Sequence, residues 1–303
     1  MQNKNNKLWE YKRLSSQTLN NFCDGCLALI PPDVDPDILS FGSLLCLVQS
    51  MILFYTASSF NLGILLICIY GILDIMSCKQ VQRNCNYASH KNELFRYICN
   101  SVSMLFLIRI FCISLRIESI WTQYLIINIY EICKMQNQVK QFKEHYYNNY
   151  YNKEVFLAVL IIIINRIITS FLGISFTLIK IQDYIDKCLL MVLIYNVCLL
   201  IIDLIKDTHF IMRDTVLLCM FIRYMAVYIF FMYNSYDIIN LLSVYLHGLF
   251  WSLLSTDFIV SKISYKQLNP ILPVYALLSS ITIFSVPICF TIHYYRAIKS
   301  TKL

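Results

Sequence analysis

The stretch from Leu73 to Ser101 carries polar side chains at the spacing of a catalytic segment. Asp74 comes first, and Asn92, Arg96 and Asn100 follow at intervals of four, which places these three on one face of a helix. Carboxylates at such positions could bind divalent metal ions and take a proton from an attacking hydroxyl. Asp74 is the one carboxylate among these four residues. The spacing is therefore typical of a metal-dependent active site, but the residue types lack the carboxylates that such a site needs.

The composition indicates that membrane-spanning helices must position this segment. The chain has 303 residues, of which 58% are hydrophobic and 14% are charged, whereas about a quarter of a soluble domain is charged. One core of this size cannot bury so much apolar surface. Because a backbone in lipid must satisfy its own polar groups, we expect an all-α, polytopic transmembrane helical bundle.

Apolar runs near the ~20 residues needed to cross the hydrocarbon layer predict about nine spans, within a range of about eight to ten. The runs are 38–57, 60–76, 98–115, 119–134, 155–178, 187–205, 215–233, 238–260 and 271–295. Residues 37–303 are thus predicted to form a single transmembrane bundle. The polar, amphipathic residues 1–36 are predicted to lie along the membrane surface as short helices.

The net charge of +7 is explained by basic residues in the loops on one side of the membrane. We therefore expect no nucleic-acid partner. With nine spans, Lys and Arg concentrate in the N-terminal segment and in the loops at 77–97, 135–154, 206–214 and 261–270. This bias predicts that the N-terminus lies on the matrix or cytosolic side. Most of the thirteen cysteines lie in apolar runs, so they do not indicate a secreted disulfide framework.

Other ionisable residues in the predicted spans are expected to pair between helices, because an isolated charge in the hydrocarbon is costly. The first expected pair is Arg109 with Glu131, which lie on adjacent predicted helices. The second is Arg223 with Asp203 or Asp257.

The stretch from residue 73 to residue 101 resembles the motif of the CDP-alcohol phosphotransferases, in particular the choline/ethanolamine phosphotransferase branch. That family carries D-x-x-D-G-x-x-A-R and then G-x-x-x-D-x-x-x-D, and the segments "DIMSCKQVQRN" and "ASHKNELFRYICNS" match both halves. The residues that agree with the branch are Lys79, Gln80, Arg83, Ser89, Glu93, Leu94, Phe95, Cys99 and Ser101. The resemblance implies the family's helical bundle, in which four Asp bind two Mg²⁺ or Mn²⁺ ions and the last Asp is also the general base.

The chain departs from the family's pattern at the residues that would bind metal. The first Asp is retained as Asp74, whereas Ser77, Arg96 and Asn100 replace the other three. The further degenerate positions are Cys78 and Asn92 in place of Gly, and Gln82 in place of Arg. One carboxylate cannot hold two dications about 4 Å apart, and an amide cannot act as the base.

These departures predict a site with no catalytic residue, no metal ligand and no cofactor. Arg96 places a permanent positive charge where the family has a metal ligand. We expect Asp74 and Arg96 to form a structural ion pair, in which the guanidinium replaces the lost metal ions.

The resemblance and the lost ligands together predict a catalytically inactive CDP-alcohol phosphotransferase-like protein. We expect a structural or accessory subunit of a larger membrane protein complex, with membrane lipids and other membrane subunits as partners. The alternatives are an active choline/ethanolamine phosphotransferase, which would make phospholipid from CDP-alcohol and diacylglycerol, and an unrelated multispan receptor or transporter. The expected location is the mitochondrial inner membrane, with the ER or Golgi membrane as the alternative.

Overall fold

The computed structural model describes seven long helices and several shorter stretches of the chain. The described residues are 24–28, 30–56, 59–83, 90–143, 161–162, 164, 182–207, 210–233, 237–264, 274, 276 and 292. The helices are α1 (Pro36–Thr56), α2 (Phe60–Arg83), α3 (His90–Ser114), α4 (Ile120–Lys143), α5 (Gln182–Asp207), α6 (Phe210–Tyr233) and α7 (Asp237–Ser264). No strand occurs within these residues, so the predicted all-α class is confirmed for them.

Four helical segments in this part of the chain are long and apolar enough to cross a membrane. They are Pro36–Tyr55, Phe60–Val81, Phe95–Ser114 and Tyr184–Ile205. They coincide with four of the predicted spans, in α1, α2, α3 and α5. Their length and composition support an integral membrane protein.

The other predicted spans are described less completely. The runs at 119–134, 215–233 and 238–260 are helical within α4, α6 and α7. The runs at 155–178 and 271–295 lie largely outside the described residues. The total of about nine spans therefore stays a prediction.

The helices pack around three main apolar clusters, of which two each hold one group of helices and the third, with Leu105, Ile127 and Val244, joins α3, α4 and α7. Of the first two, one joins α1, α2 and α3 through side chains such as Leu47, Ile67 and Leu107, and Ile162 lies buried in it. The other joins α4, α5, α6 and α7, and Ala276 belongs to it. Close packing of α3 against α7 connects the two groups of helices.

Polar side chains line α4, yet most of them are buried. Gln123, Asn128, Glu131 and Gln138 are all nearly inaccessible, because α3, α5 and α7 pack around this helix. Buried polar groups of this kind need partners inside the protein. Gln123 Nε2, for example, donates to the backbone oxygen of Ile117 at 2.9 Å.

The turn between α3 and α4 is fixed by its own hydrogen bonds. Arg116 adopts a left-handed backbone conformation (φ 53°) just after α3. The N–H of Ile117 then donates to the carbonyl of Cys112 at 2.8 Å, which closes the helix end. Ser119 Oγ caps α4 by accepting the Thr122 N–H at 3.2 Å. This turn joins α3 to α4, and both helices carry buried polar side chains, such as Ser103 and Asn128.

Gly248 permits the close approach of α7 to α3 and α4. A Cβ atom built at this position would lie 2.5 Å from Leu105 Cδ2 and 3.1 Å from Ile127 Cγ2. We expect Gly248→Ala to lower the free energy of unfolding by about 1–3 kcal/mol through overpacking. Thermal unfolding in detergent, followed by tryptophan fluorescence, measures this change. Gly71→Ala is the matched control, because a Cβ atom there meets nothing within 4 Å; equal losses in both variants would contradict the packing explanation.

Candidate functional site

The retained acidic residue of the motif, Asp74, lies on α2 and faces α3. Its Oδ1 atom is buried and accepts no hydrogen bond from the described part of the chain, although the residue as a whole keeps some accessible surface. Asn100 and Arg96, both on α3, are the groups whose interactions with this carboxyl oppose the cost of its burial. The first, third and fourth Asp positions of the motif are therefore brought together, and each carries a different chemical group.

Arg96 connects the two halves of the motif. It is 8% exposed, and its Nη1 atom donates to Cys78 Sγ at 2.8 Å. The guanidinium thus interacts both with Asp74 and with the side chain that stands in place of the family's first glycine. We call the residues Asp74, Cys78, Arg96 and Asn100 the Asp74–Arg96 centre. The buried cation of Arg96 lies in this centre, where the resemblance implies metal ions.

Ser77, at the second Asp position, takes part in the packing of α2 against α1. Its hydroxyl lies 2.7 Å from Ser40 Oγ and donates to the Pro36 carbonyl oxygen at 3.2 Å. A carboxylate at this position would face that carbonyl oxygen instead of donating to it. The contacts of Ser77 therefore suit a hydroxyl and not a metal-binding carboxylate.

The last turns of α2 hold a segment that precedes α1, which we call the strap (residues 24–28 and 30–35). Lys79 Nζ lies 2.5 Å from Asp24 Oδ1. Gln80 Nε2 lies 3.0–3.2 Å from three carbonyl oxygens, those of Pro31, Pro32 and Val34. Arg83 Nη1 lies 3.2 Å from the carbonyl oxygens of Leu27 and Ile30. Three residues that match the family's motif thus bind the chain's own backbone or side chains.

The predicted site residues are placed as follows. Asp74, Ser77, Cys78, Arg96 and Asn100 lie together where α2 meets α3, with α1 beside them. The side chains of Gln82 and Asn92 are outside the described ones. A direct ion pair between Asp74 and Arg96 stays a prediction, supported by the electrostatic interaction of the two groups.

A second polar cluster, not predicted from the sequence, lies between α3, α4 and α7. Lys134 Nζ is 2.7 Å from Ser101 Oγ, 3.8 Å from Glu131 Oε2 and 5.0 Å from the centre of the Tyr97 ring. Gln138 Nε2 donates to the Tyr97 hydroxyl. The spacing of three residues between Glu131 and Lys134 is the feature of the sequence that could have indicated this pair.

The predicted pair of Arg109 with Glu131 is wrong. Arg109 Nη1 donates to Gln123 Oε1 at 2.7 Å and lies 6.0 Å from the centre of the Tyr245 ring. Glu131 is instead paired with Lys134 on its own helix. Arg223 lies 5.2 Å from the centre of the Phe250 ring, and its pairing with Asp203 or Asp257 stays a prediction.

An aromatic cluster around His247 joins α4, α6 and α7. The His247 ring lies among those of Tyr124, Tyr224 and Trp251, at centroid distances of 5.4–6.1 Å. Its Nε2 atom is 2.9 Å from Asn128 Oδ1, and Trp251 Nε1 is also 2.9 Å from it. Because His247 is fully buried, we assign this cluster to packing between helices.

Comparison of the sequence with models of known protein families and with curated proteins finds no match. The relationship to the CDP-alcohol phosphotransferases therefore remains a resemblance that the motif residues carry.

Proposed function

We propose that this chain is a catalytically inactive, CDP-alcohol phosphotransferase-like protein that serves as a structural or accessory subunit of a larger membrane protein complex. The observation that carries the proposal is the set of contacts made by the motif side chains. Ser77, Gln80 and Arg83 donate to backbone carbonyls of the chain itself, and Arg96 donates to Cys78. Side chains whose hydrogen bonds are made within the chain itself support a structural role.

The residues around Asp74 do not fit a pair of Mg²⁺ or Mn²⁺ ions. These ions prefer hard, anionic oxygen ligands, whereas the groups that act on the Asp74 carboxyl include the Asn100 amide and the Arg96 guanidinium. Two unit positive charges about 4 Å apart repel by about 4 kcal/mol at a typical effective dielectric, and a dication doubles this. Arg96 therefore opposes metal binding as well as failing to supply a ligand.

The position of the general base also carries a group that cannot perform its function. Asn100 interacts with the Asp74 carboxyl, but its amide has no lone pair that is basic near neutral pH. Transfer of a phosphoalcohol to a lipid hydroxyl requires removal of the hydroxyl proton. The polar groups described at this centre are therefore suited to stabilising one another and not to catalysis.

The outward surface of α5 suits contact with membrane lipids or with other membrane subunits. Large apolar side chains such as Met191, Ile194 and Tyr195 are mostly exposed on this helix. In a bilayer such a surface is covered by acyl chains or by another apolar helix. We propose the mitochondrial inner membrane as the location, with the N-terminus on the matrix side and with the ER or Golgi membrane as the alternative.

Native electrophoresis of the tagged chain tests the subunit role. Membranes are solubilised in a mild detergent, and the migration of the chain is compared with that of the purified 35.6 kDa polypeptide. We expect migration in one large assembly with partners in fixed stoichiometry, identified by cross-linking between lysines. Migration of the whole population as a monomer in several mild detergents would contradict the proposal.

A further inference from the structure

Gln49 is an exposed polar side chain well inside a helix of membrane-spanning length. It lies on α1, seven residues before Thr56, so at a rise of 1.5 Å per residue it is roughly 10 Å from the nearer end of the helix. Its side chain is exposed and makes no hydrogen bond within the described part of the chain. Because lipid tails offer an amide no hydrogen bond, this position needs a polar partner from outside the chain.

The exposed residues around Gln49 have the spacing of helices that pack along a seam. Ile38, Leu45 and Ile52 recur every seven residues and are 64%, 47% and 51% exposed. Gln49 and Thr56 follow Leu45 and Ile52 by four residues each, and both are exposed. We call these five residues the α1 seam. Heptad spacing of this kind keeps one side of a helix facing a partner helix along its length.

The α1 seam lies on the side of the helix that points away from the bundle. The opposite side buries Ser43, Leu47, Ser50 and Phe54, where α1 packs against α2 and α3. The apolar residues of the seam alone would suit acyl chains as well as another helix. The amide of Gln49 favours another helix, because polar side chains in a membrane stabilise helix pairs by hydrogen bonding across them.

A second copy of the same chain supplies the matching group at the matching depth. Copies of one membrane protein share one orientation, so a twofold axis along the membrane normal places their α1 helices parallel, with equal residues opposite each other. A primary amide carries both donors and an acceptor, so each Gln49 side chain can donate to the other. A different subunit would need a polar group of its own at this depth.

We propose that the α1 seam binds the α1 seam of a second copy of this chain, with the two Gln49 amides hydrogen-bonded to each other across a twofold axis. The polar pair sets the register of the two helices, as a polar residue in the seam of other helix pairs does. The proposal goes beyond the subunit role proposed above, because it depends neither on lost activity at the Asp74–Arg96 centre nor on any other subunit.

Energy transfer between donor-labelled and acceptor-labelled full chains in lipid vesicles measures the pairing as the protein-to-lipid ratio is varied. We expect Gln49→Leu to raise the dissociation constant about tenfold, as the loss of interhelical hydrogen bonds does in model membrane peptides. Gln49→Asn keeps an amide and should retain most of the pairing. Tyr195→Leu is the matched control. It changes a side chain that is 64% exposed on α5, outside the seam, and should leave the constant unchanged.

Cross-linking in the native membrane identifies what covers the seam. Mild oxidation of the Gln49→Cys variant should join two copies through the introduced thiols, and peptide mass spectrometry distinguishes this disulfide from those of native cysteines. Met191→Cys, at a position 72% exposed on α5, is the control and should give no such symmetric link. Linkage of residue 49 to a different protein, no linkage at all, or equal dissociation constants for Gln49→Leu and the unmodified protein would overturn the proposal.

Discussion

Replacement of Arg96 by Met is expected to lower the free energy of unfolding by about 3 kcal/mol, because it leaves the Asp74 carboxylate without its cation. Arg96 is the positive group that acts on this carboxyl, and Asp74 Oδ1 is buried. The double variant Asp74→Asn/Arg96→Met removes both charges and should recover most of the loss. Titration with a denaturing detergent, followed by circular dichroism, measures the three values.

Arg109→Met is the matched control for this cycle. Arg109 is also an arginine of α3, but it donates to the neutral Gln123 side chain, so its removal leaves no unpaired carboxylate. We expect a loss of about 1.5 kcal/mol, the low end for one hydrogen bond to a charged group. If the double variant were as unstable as Arg96→Met alone, Asp74 and Arg96 would not be coupled.

The second large effect is expected at Lys134. This residue supplies the cation beside Glu131, which is fully buried, and it also donates to Ser101. Lys134→Met should lower the free energy of unfolding by about 3–5 kcal/mol, because an unpaired carboxylate remains between α3, α4 and α7. The same detergent titration measures the change.

The double variant Glu131→Gln/Lys134→Met shows whether the loss is electrostatic. Gln keeps the size of Glu131 without its charge, and Met keeps most of the apolar length of Lys134, so the double variant should be clearly more stable than Lys134→Met. A double variant as unstable as the single one would mean that Lys134 acts through packing and its bond to Ser101 alone.

The sequence predicted the helices well where apolar runs were long and little interrupted. The runs in α1, α2, α3 and α5 give helices of membrane-spanning length, because both lipid and backbone pairing demand helix there. α4 was harder to interpret. Its buried polar residues, such as Asn128 and Glu131, are covered by neighbouring helices, and a hydropathy pattern does not distinguish burial in protein from exposure to lipid.

The sequence indicated which residues form the candidate site, but it did not indicate which contacts their side chains make. Spacing placed Asp74 close to Arg96 and Asn100, since their helices are joined by a short connection. It could not show that Gln80 and Arg83 bind carbonyl oxygens about fifty residues earlier in the chain. The spacing also did not favour the Glu131–Lys134 pair over the Glu131–Arg109 pair, because either pairing would offset the cost of burying the Glu131 charge.

Release of CMP by the purified chain is the measurement that tests the account most directly. CDP-choline or CDP-ethanolamine is supplied with diacylglycerol in mixed micelles, with Mg²⁺ or Mn²⁺, and the Asp74→Asn variant serves as the control for background hydrolysis. An inactive centre in which Arg96 opposes metal binding predicts equal, background-level CMP from both proteins with either ion. Metal-dependent CMP release that Asp74→Asn abolishes would contradict it.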